Sequence, residues 1–386
     1  MRDYAQYASE LRREIHMCPE IGFDLPTTLA LVRRELDDIG LEYTDKYGTS
    51  SIVATLNPEK AGFTIGIRAD MDALPIEEKT NKPYASRNPG VMHACGHDAH
   101  TAILLATARR LTDMKDQINC RVKFLFTPAE EYIHPGCKEL AENGVTDDLD
   151  CIAALHVQPT IPVGTVSISD GGQGGNSMGV IIELFGKAAH AAQQHKGADA
   201  IAMGVQVYQA LGHLIAKEVD PIEPCLLNVG SFQAGKTNNV ICDYCKLFVS
   251  VRTFSDEVID HLLDRIRQIS DSVAAQNGGR ASVTVTKFLP YVINEPRVTA
   301  QMRKSVATVI GEENIRCLKR GLGGEDFGFL SRKKPSVFIR LGVCGGEETS
   351  YPLHSATFDL DERCFQIGID VFTQFVLDNM NGMDLS

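Results

Sequence analysis

The sequence predicts an α/β protein of two units: a larger domain whose mixed sheet is covered by helices on both faces, and an inserted α+β unit of ferredoxin-like order. Three observations predict it. Short β-rich runs alternate with helical patterns from Ser51 to Val157. A polar stretch with four glycines, Ser169–Asn176 (SDGGQGGN), interrupts that alternation as a hinge or linker would. A strand–helix–strand–strand–helix–strand order follows before the first pattern resumes. At 386 residues and 44% hydrophobic, the chain is long enough for about two domains, each with its own core.

Taken in order, Tyr4, Tyr7, Ala8, Leu11 and Ile15 recur at helical spacing. Thr27 to Ile39 repeats the pattern, with Thr27 or Thr28 able to cap and Gly40 able to stop. Strands are predicted at Ser51–Leu56, Thr64–Arg68, Val122–Thr127 and Cys151–Val157, with helices at Ala99–Met114 and Gly136–Asn143. These strands run into Arg68 and Asp70, Pro128 and Glu130, and His156, and open α/β sheets bind ligands beyond the carboxyl ends of their strands. The inserted unit reads strand Gly179–Phe185, helix Ala198–Ala216, strands Leu226–Phe232 and Tyr244–Thr253, helix Asp256–Gln276 and strand Ser282–Phe288. Strand Val337–Leu341 and a closing helix Asp361–Asn379, acidic at its start, return to the first pattern. The expected boundaries are 1–175 with 289–386 for the larger domain and 176–288 for the insertion.

Lys and Arg number 38 against 50 Asp and Glu, a net charge of −12. That removes the positive footprint needed for nonspecific binding to nucleic acid or an anionic membrane, and a small-molecule partner is expected. The charged N-terminal stretch lacks a signal peptide's apolar run, and Thr101–Ala108 is far shorter than the roughly 20 residues of a membrane span. Eleven cysteines without regular spacing fit reduced thiols. A cytoplasmic protein is expected.

The densest chemistry lies in MHACGHDAH, where Cys95, His97, Asp98 and His93 or His100 fall just before a helix and suggest a transition metal. In FTPAEE, successive side chains leave a strand in different directions, so one carboxylate can ligate a metal while its neighbour works as a base. His156 at the end of an apolar strand must find a partner, and His354 sits in the loop YPLHSATFDL. The four segments together supply Cys95, His97, Glu131, His156 and His354, a set suited to two metal ions sharing a bridge. Cys242-x-x-Cys245 lies in a predicted strand, where residues three apart face opposite sides, and reads as packing rather than a redox motif. GGQGG at 171–175 lacks the features of a phosphate loop.

The combination RADMDALP (68–75), MHACGHDAHTA (92–102), FTPAEE (126–131), LHV (155–157), GKAAHAA (186–192), NNVI (238–241), VRTF (251–254), GGEDF (323–327) and PLHSATFDL (352–360) resembles the aminoacylase-like dinuclear metallopeptidases. Within them it is most similar to the amidohydrolase branch of hippurate, auxin-conjugate and N-acetyl-diaminopimelate hydrolases. The resemblance implies Cys95 as bridging ligand, with His97, Glu131, His156 and His354 completing sites for two divalent ions (zinc, manganese, cobalt or nickel). It further implies Glu130 as general base, Asp72 as the carboxylate orienting a metal-bound imidazole, and Glu325 and Asp326 as support from beneath. His190 of a lid domain would stabilise the oxyanion, often in the partner subunit, and Asn239 with Arg252 would hold a substrate carboxylate. His93, His100, His134 and His195 are left as structural or peripheral. The implied activity is hydrolysis of N-acyl amino acids or similar conjugates by a homodimer joined through its lids. Small-peptide hydrolysis is the alternative, and a metal-free hydrolase with Cys95 as nucleophile is the contrasting class. YIHPGC (132–137) and AAHAAQQHK depart from the branch's glycine-rich forms, so the acyl group is left open.

Overall fold

The computed structural model describes residues 2–385. Its first helix, Tyr4–Met17, starts where the Asp3 carboxylate accepts from the Gln6 amide at 2.9 Å. The second, Pro26–Ile39, is not capped by a threonine as expected. The Glu20 carboxylate, held just upstream, accepts from the Thr27 and Thr28 amides at 2.9 Å each and does the same work from outside the helix. Gly40, at φ +78°, stops it.

The chain divides into two units, the larger comprising residues up to Gln173, Val292–Lys319 and from Asp326 onwards. Its eight-stranded sheet runs, from one edge, Glu42–Thr44, Ile52–Leu56, Arg121–Thr127, Thr64–Asp70, Cys151–Pro162, Ser336–Cys344, Val166–Ser167 and Ile315–Arg316. The four middle strands from Arg121–Thr127 to Ser336–Cys344 are mutually parallel, and antiparallel pairs flank them. Thr64–Asp70 is buried at every residue, as a central parallel strand covered on both faces must be. Side chains alternate between two cores. Ala54, Phe124, Phe126, Ala153 and Ile339 face the cluster containing helices His97–Asp113 and Cys364–Asn379. Val53, Leu125, Ile152 and Phe338 face a smaller cluster with Leu140, Phe327 and Leu330.

Three local features differ from the sequence reading. The glycine-rich stretch is no free linker, because Gly171–Gly174 forms a short strand paired with Val292–Asn294. The closing helix begins at Cys364 without an acidic first turn, since Asp361 turns back to accept from the Arg363 amide and guanidinium. A helix lies outside the predicted elements, Pro296–Ile310, with proline in its first turn and the Glu295 carboxylate capping Val298.

The second unit, Gly174–Tyr291 with Arg320–Glu325, holds an antiparallel sheet in the order Cys225–Ala234, Tyr244–Thr253, Asn176–Phe185, Arg280–Leu289. Helices Ala200–Glu218 and Asp256–Gln276 close one face over Val180, Ile182, Leu247 and Val249. Among residues left exposed in this unit are Leu226, Phe232, Tyr244 and Phe248 on its strands. Among the described residues, no helix is long and apolar enough to cross a membrane.

Candidate active site

The two glutamates are held by an unusual turn. Beyond the strand Arg121–Thr127, Ala129 adopts φ +59°, a conformation its Cβ disfavours. The Asp72 carboxylate offsets that cost, its two oxygens accepting from the Glu130 and Glu131 amides at 3.0 Å each. A Cβ at Gly136 would lie 2.1 Å from the Pro128 carbonyl oxygen, so only glycine can begin the next helix, Gly136–Glu142, against the turn. Asp72 was expected to orient an imidazole. Its carboxylate organises the glutamates and also lies beside the His97 ring, 3.4 Å from Nδ1, while its backbone carbonyl accepts from the same nitrogen at 2.8 Å.

That hydrogen bond occupies Nδ1, so Nε2 is the ring nitrogen placed to take a metal once it gives up its proton. His97 Nε2 is buried and has no hydrogen-bond partner among the described residues, a costly arrangement for a protein that never fills it. Around it stand the other predicted ligands. Cys95 Sγ lies 3.4 Å from His156 Nε2, whose Nδ1 is in turn 2.7 Å from the Val157 carbonyl. Gly96, at φ +82°, lets Cys95 and His97 meet there, because a Cβ would reach within 2.5 Å of Val157 Cγ2. His354, also at positive φ, is tied by its amide to the Ala94 carbonyl at 2.8 Å, and its Nε2 is 3.0 Å from Glu131 Oε1. The side chains of Cys95, His97 and His156 bring ligand atoms within 4.8 Å of one another. So do those of Cys95, Glu131 and His354, and of His97, Glu130 and Glu131. Cys95 is common to the first two sets. Sulfur, imidazole and carboxylate donors around an orphaned buried nitrogen fit borderline divalent metals.

The electrostatics agree with ligands rather than a nucleophile. Burial pushes the Cys95 thiol well above its usual range, so alone it stays protonated and unreactive. Burial opposes protonation of His97, but Asp70 and Cys95 outweigh it and carry the imidazole well above the usual histidine range. Burial, with His100 and Arg340 nearby, holds His156 well below it, neutral and able to ligate.

Two residues to which the sequence reading gave no specific role lie at the centre. Asp70 is fully buried, its Oδ2 accepting from Arg68 at 2.7 Å and its Oδ1 paired with His100 Nδ1 at 2.6 Å. Burial raises its pKa, but His97, Arg68 and His100 together hold it well below the usual carboxylate range. His100 has a structural role: its Nε2 accepts from the Val157 amide at 3.0 Å, so both nitrogens are used in joining Asp70 to the strand that carries His156. Its position three residues after His97, on the same helix face, was the available signal. Asp326 accepts from the Cys137 amide at 2.9 Å, and Glu325 belongs to the smaller unit. His134 and His195 are exposed.

Behind the ligands, Arg12 is buried between Asp98 (2.8 Å) and Asp359 (2.9 Å), and Asp98 also pairs with His16 at 2.6 Å. His93 lies nearby, buried, with neither ring nitrogen hydrogen-bonded, and burial lowers its pKa to about 3. Its folded-state value is below the unfolded one, so its contribution is complete above pH ~6.5 and is lost as pH falls toward 3. Stability is expected to fall by up to about 1.4 kcal/mol per pH unit across that window from this group. Urea unfolding of wild type and His93→Gln at pH 7 and pH 5 checks it, the variant losing less than wild type between the two.

In the smaller unit His190 and Asn239 come together: Ala189–His190 pairs with Val240–Ile241, and the Ala191 amide donates to the Asn239 carbonyl at 3.0 Å. Arg252 does not join them. Its guanidinium donates to the Leu322 carbonyl at 2.9 Å, and it lies eight residues along the strand from Tyr244, roughly 26 Å from the end where His190 and Asn239 sit.

The model of peptidase family M20/M25/M40 matches residues 66–378. The chain belongs to this family. This M20 chain is a metal-dependent hydrolase of amide bonds. It is 34% identical over 382 residues to the N-acetyldiaminopimelate deacetylase of Enterococcus faecalis, covering 96% of this chain and 97% of the relative. It is 31% identical to thermostable carboxypeptidase 1 of Saccharolobus solfataricus, covering 95% and 94%. Among solved structures, the M20 fold matches the Bacillus subtilis YXEP protein, described as a dinuclear metal-binding peptidase, with a TM-score of 0.82 and 30% identity over 97% of this chain and 98% of that one.

Proposed function

We propose that the protein is a two-metal amidohydrolase that cleaves N-acyl amino acids, or similar small conjugates, to a carboxylic acid and a free amino acid. The observation that carries this reading is Cys95, which belongs at once to a set with His97 and His156 and a set with Glu131 and His354. A donor that could serve two ions, with Glu130 alongside, suits two-metal hydrolysis. When bound there, two divalent cations polarise the amide carbonyl and acidify water. Glu130 takes the proton from the attacking water and returns it to the leaving amine. Asp72 holds Glu130 and Glu131 by their backbone, leaving both carboxylates to act separately. In this reading His190 stabilises the oxyanion, and Asn239 and Arg252 bind substrate carboxylate. Their separation within one chain fits a site that also draws on a partner's smaller unit. The exposed edge strand Cys225–Ala234, with Leu226 and Phe232, supports a homodimer through that unit; a monomeric mass with full activity contradicts it.

The carboxypeptidase relative favours peptide hydrolysis as the second reading. Release of free amino acid from matched N-acetyl, N-benzoyl and indole-acyl amino acids and free-amine dipeptides, with and without chelator, separates the two. Chelator-sensitive release from the acylated members alone supports the proposal. Release from dipeptides alone supports the peptidase, and chelator-indifferent release blocked by alkylation returns Cys95 as nucleophile. A cytoplasmic site of action is part of the proposal, and activity confined to a secreted fraction contradicts it.

A further inference from the structure

Arg68 is buried in the middle of the central strand of the larger unit, and all three arms of its guanidinium are engaged. Nε donates to Thr127 Oγ1 at 2.9 Å, in the residue where the strand gives way to the glutamate turn. Nη1 donates to Asp70 at 2.7 Å, and Asp70 leads through His100 to the strand carrying His156. Nη2 donates to Asp326 Oδ1 at 2.5 Å. Asp326 makes two further contacts that matter. Its other oxygen accepts from the Cys137 amide at 2.9 Å, in the helix that follows the glutamate turn, and its own amide donates to Glu130 Oε1 at 3.4 Å. One planar, permanently charged fork therefore touches the ligand side of the site through Asp70 and the base side through Asp326.

We infer that Arg68 is the positioning residue of this hydrolase, fixing Glu130 relative to the ligand cluster through Asp326. The inference rests on Glu130 being the base. A buried ion triad is in itself weak evidence for stability, because desolvation consumes most of the attraction. A rigid fork whose three bonds end on the two sides of a reaction centre sets a distance, and displacement of about 1 Å in such a site costs about 10²-fold in rate. Lysine keeps the charge but offers a single flexible ammonium that cannot reach Thr127, Asp70 and Asp326 together.

The experiment uses full-length, metal-loaded enzyme and the substrate that wild type cleaves best. Arg68→Lys and Asp326→Asn are each expected to lower kcat by about 10²-fold with KM within about 3-fold and metal content per chain unchanged. The double variant is expected to lose no more than the worse single, because the two residues act as one unit. Should Arg68→Lys fail to fold, Asp326→Asn, equal in volume, carries the test. Wild-type kcat in a folded variant with a lowered melting temperature overturns the inference and makes the triad a core feature only. Loss of metal from either variant also overturns it, placing the effect on the ligands instead of the base, and so do multiplying losses in the double variant. The underlying reading fails differently, by wild-type turnover in Glu130→Gln.

Discussion

Replacing Glu130 with glutamine is expected to lower kcat by about 10³-fold, within the range lost when a positioned general base is removed, while the protein keeps its metals and its fold. The geometry explains why these should separate. The Glu130 backbone amide, not its carboxylate, is what Asp72 holds, so the turn with its strained Ala129 survives the substitution. The side chain differs by one group, and the Asp326 amide finds an acceptor oxygen in either residue. The predicted ligands Cys95, His97, Glu131, His156 and His354 are untouched. Metal analysis with steady-state kinetics on one preparation checks it: unchanged metal and KM with collapsed kcat is the expected pattern, and turnover within a few-fold of wild type removes Glu130 as the base.

Removing the shared ligand should act on the other side of the same chemistry. Cys95→Ala is expected to abolish activity and to weaken both ions by well over about 100-fold, more than loss of an outer partner costs. His354→Ala should weaken one ion, because His354 shares a ligand set with Cys95 and Glu131 but not with His156. Metal titration of the stripped proteins distinguishes these, and a Cys95→Ala protein that still takes two ions tightly would refute the bridging role. Since burial keeps the free thiol protonated, loading the wild type should release a proton that the variant does not release.

The clustering of this candidate site is legible in the sequence because its predicted ligands end strands or start a helix, where few other residues of those types occur. His156 closes an apolar run, and Glu130 and Glu131 follow one; the structure brings both to the same end of the sheet as Cys95 and His97. The support was legible only in part. Asp70 sits in the RADMDALP motif at a strand end, but its partners, His100 and Arg68, come from a helix and from the strand itself, and only packing closes them around it. Asp72 was given an imidazole by the family resemblance, and its hold on the Glu130 and Glu131 amides could not be read from the sequence, because a turn must first align the two. Asn239 and Arg252 look like neighbours as an amide and a guanidinium in adjoining motifs, and the length of the strand between them sets them apart. The glycines at 171–174 read as a linker because glycine is common in both flexible and paired backbone, and nothing local says that Val292–Asn294 will return to meet them.

The parallel pairing of Cys151–Pro162 with Ser336–Cys344 has a consequence for biosynthesis. A ribosome delivering this chain exposes the His156 strand some 180 residues before its neighbour exists, and the smaller antiparallel unit can close in the interval. The nascent larger unit therefore waits with one edge of a largely apolar strand unpaired, its other edge already able to join Thr64–Asp70, and an open edge of this kind invites association with other chains. It also waits without His354, so metal captured early would meet an incomplete set of donors. Full coordination and the completed sheet arrive together, in the last stretch of synthesis.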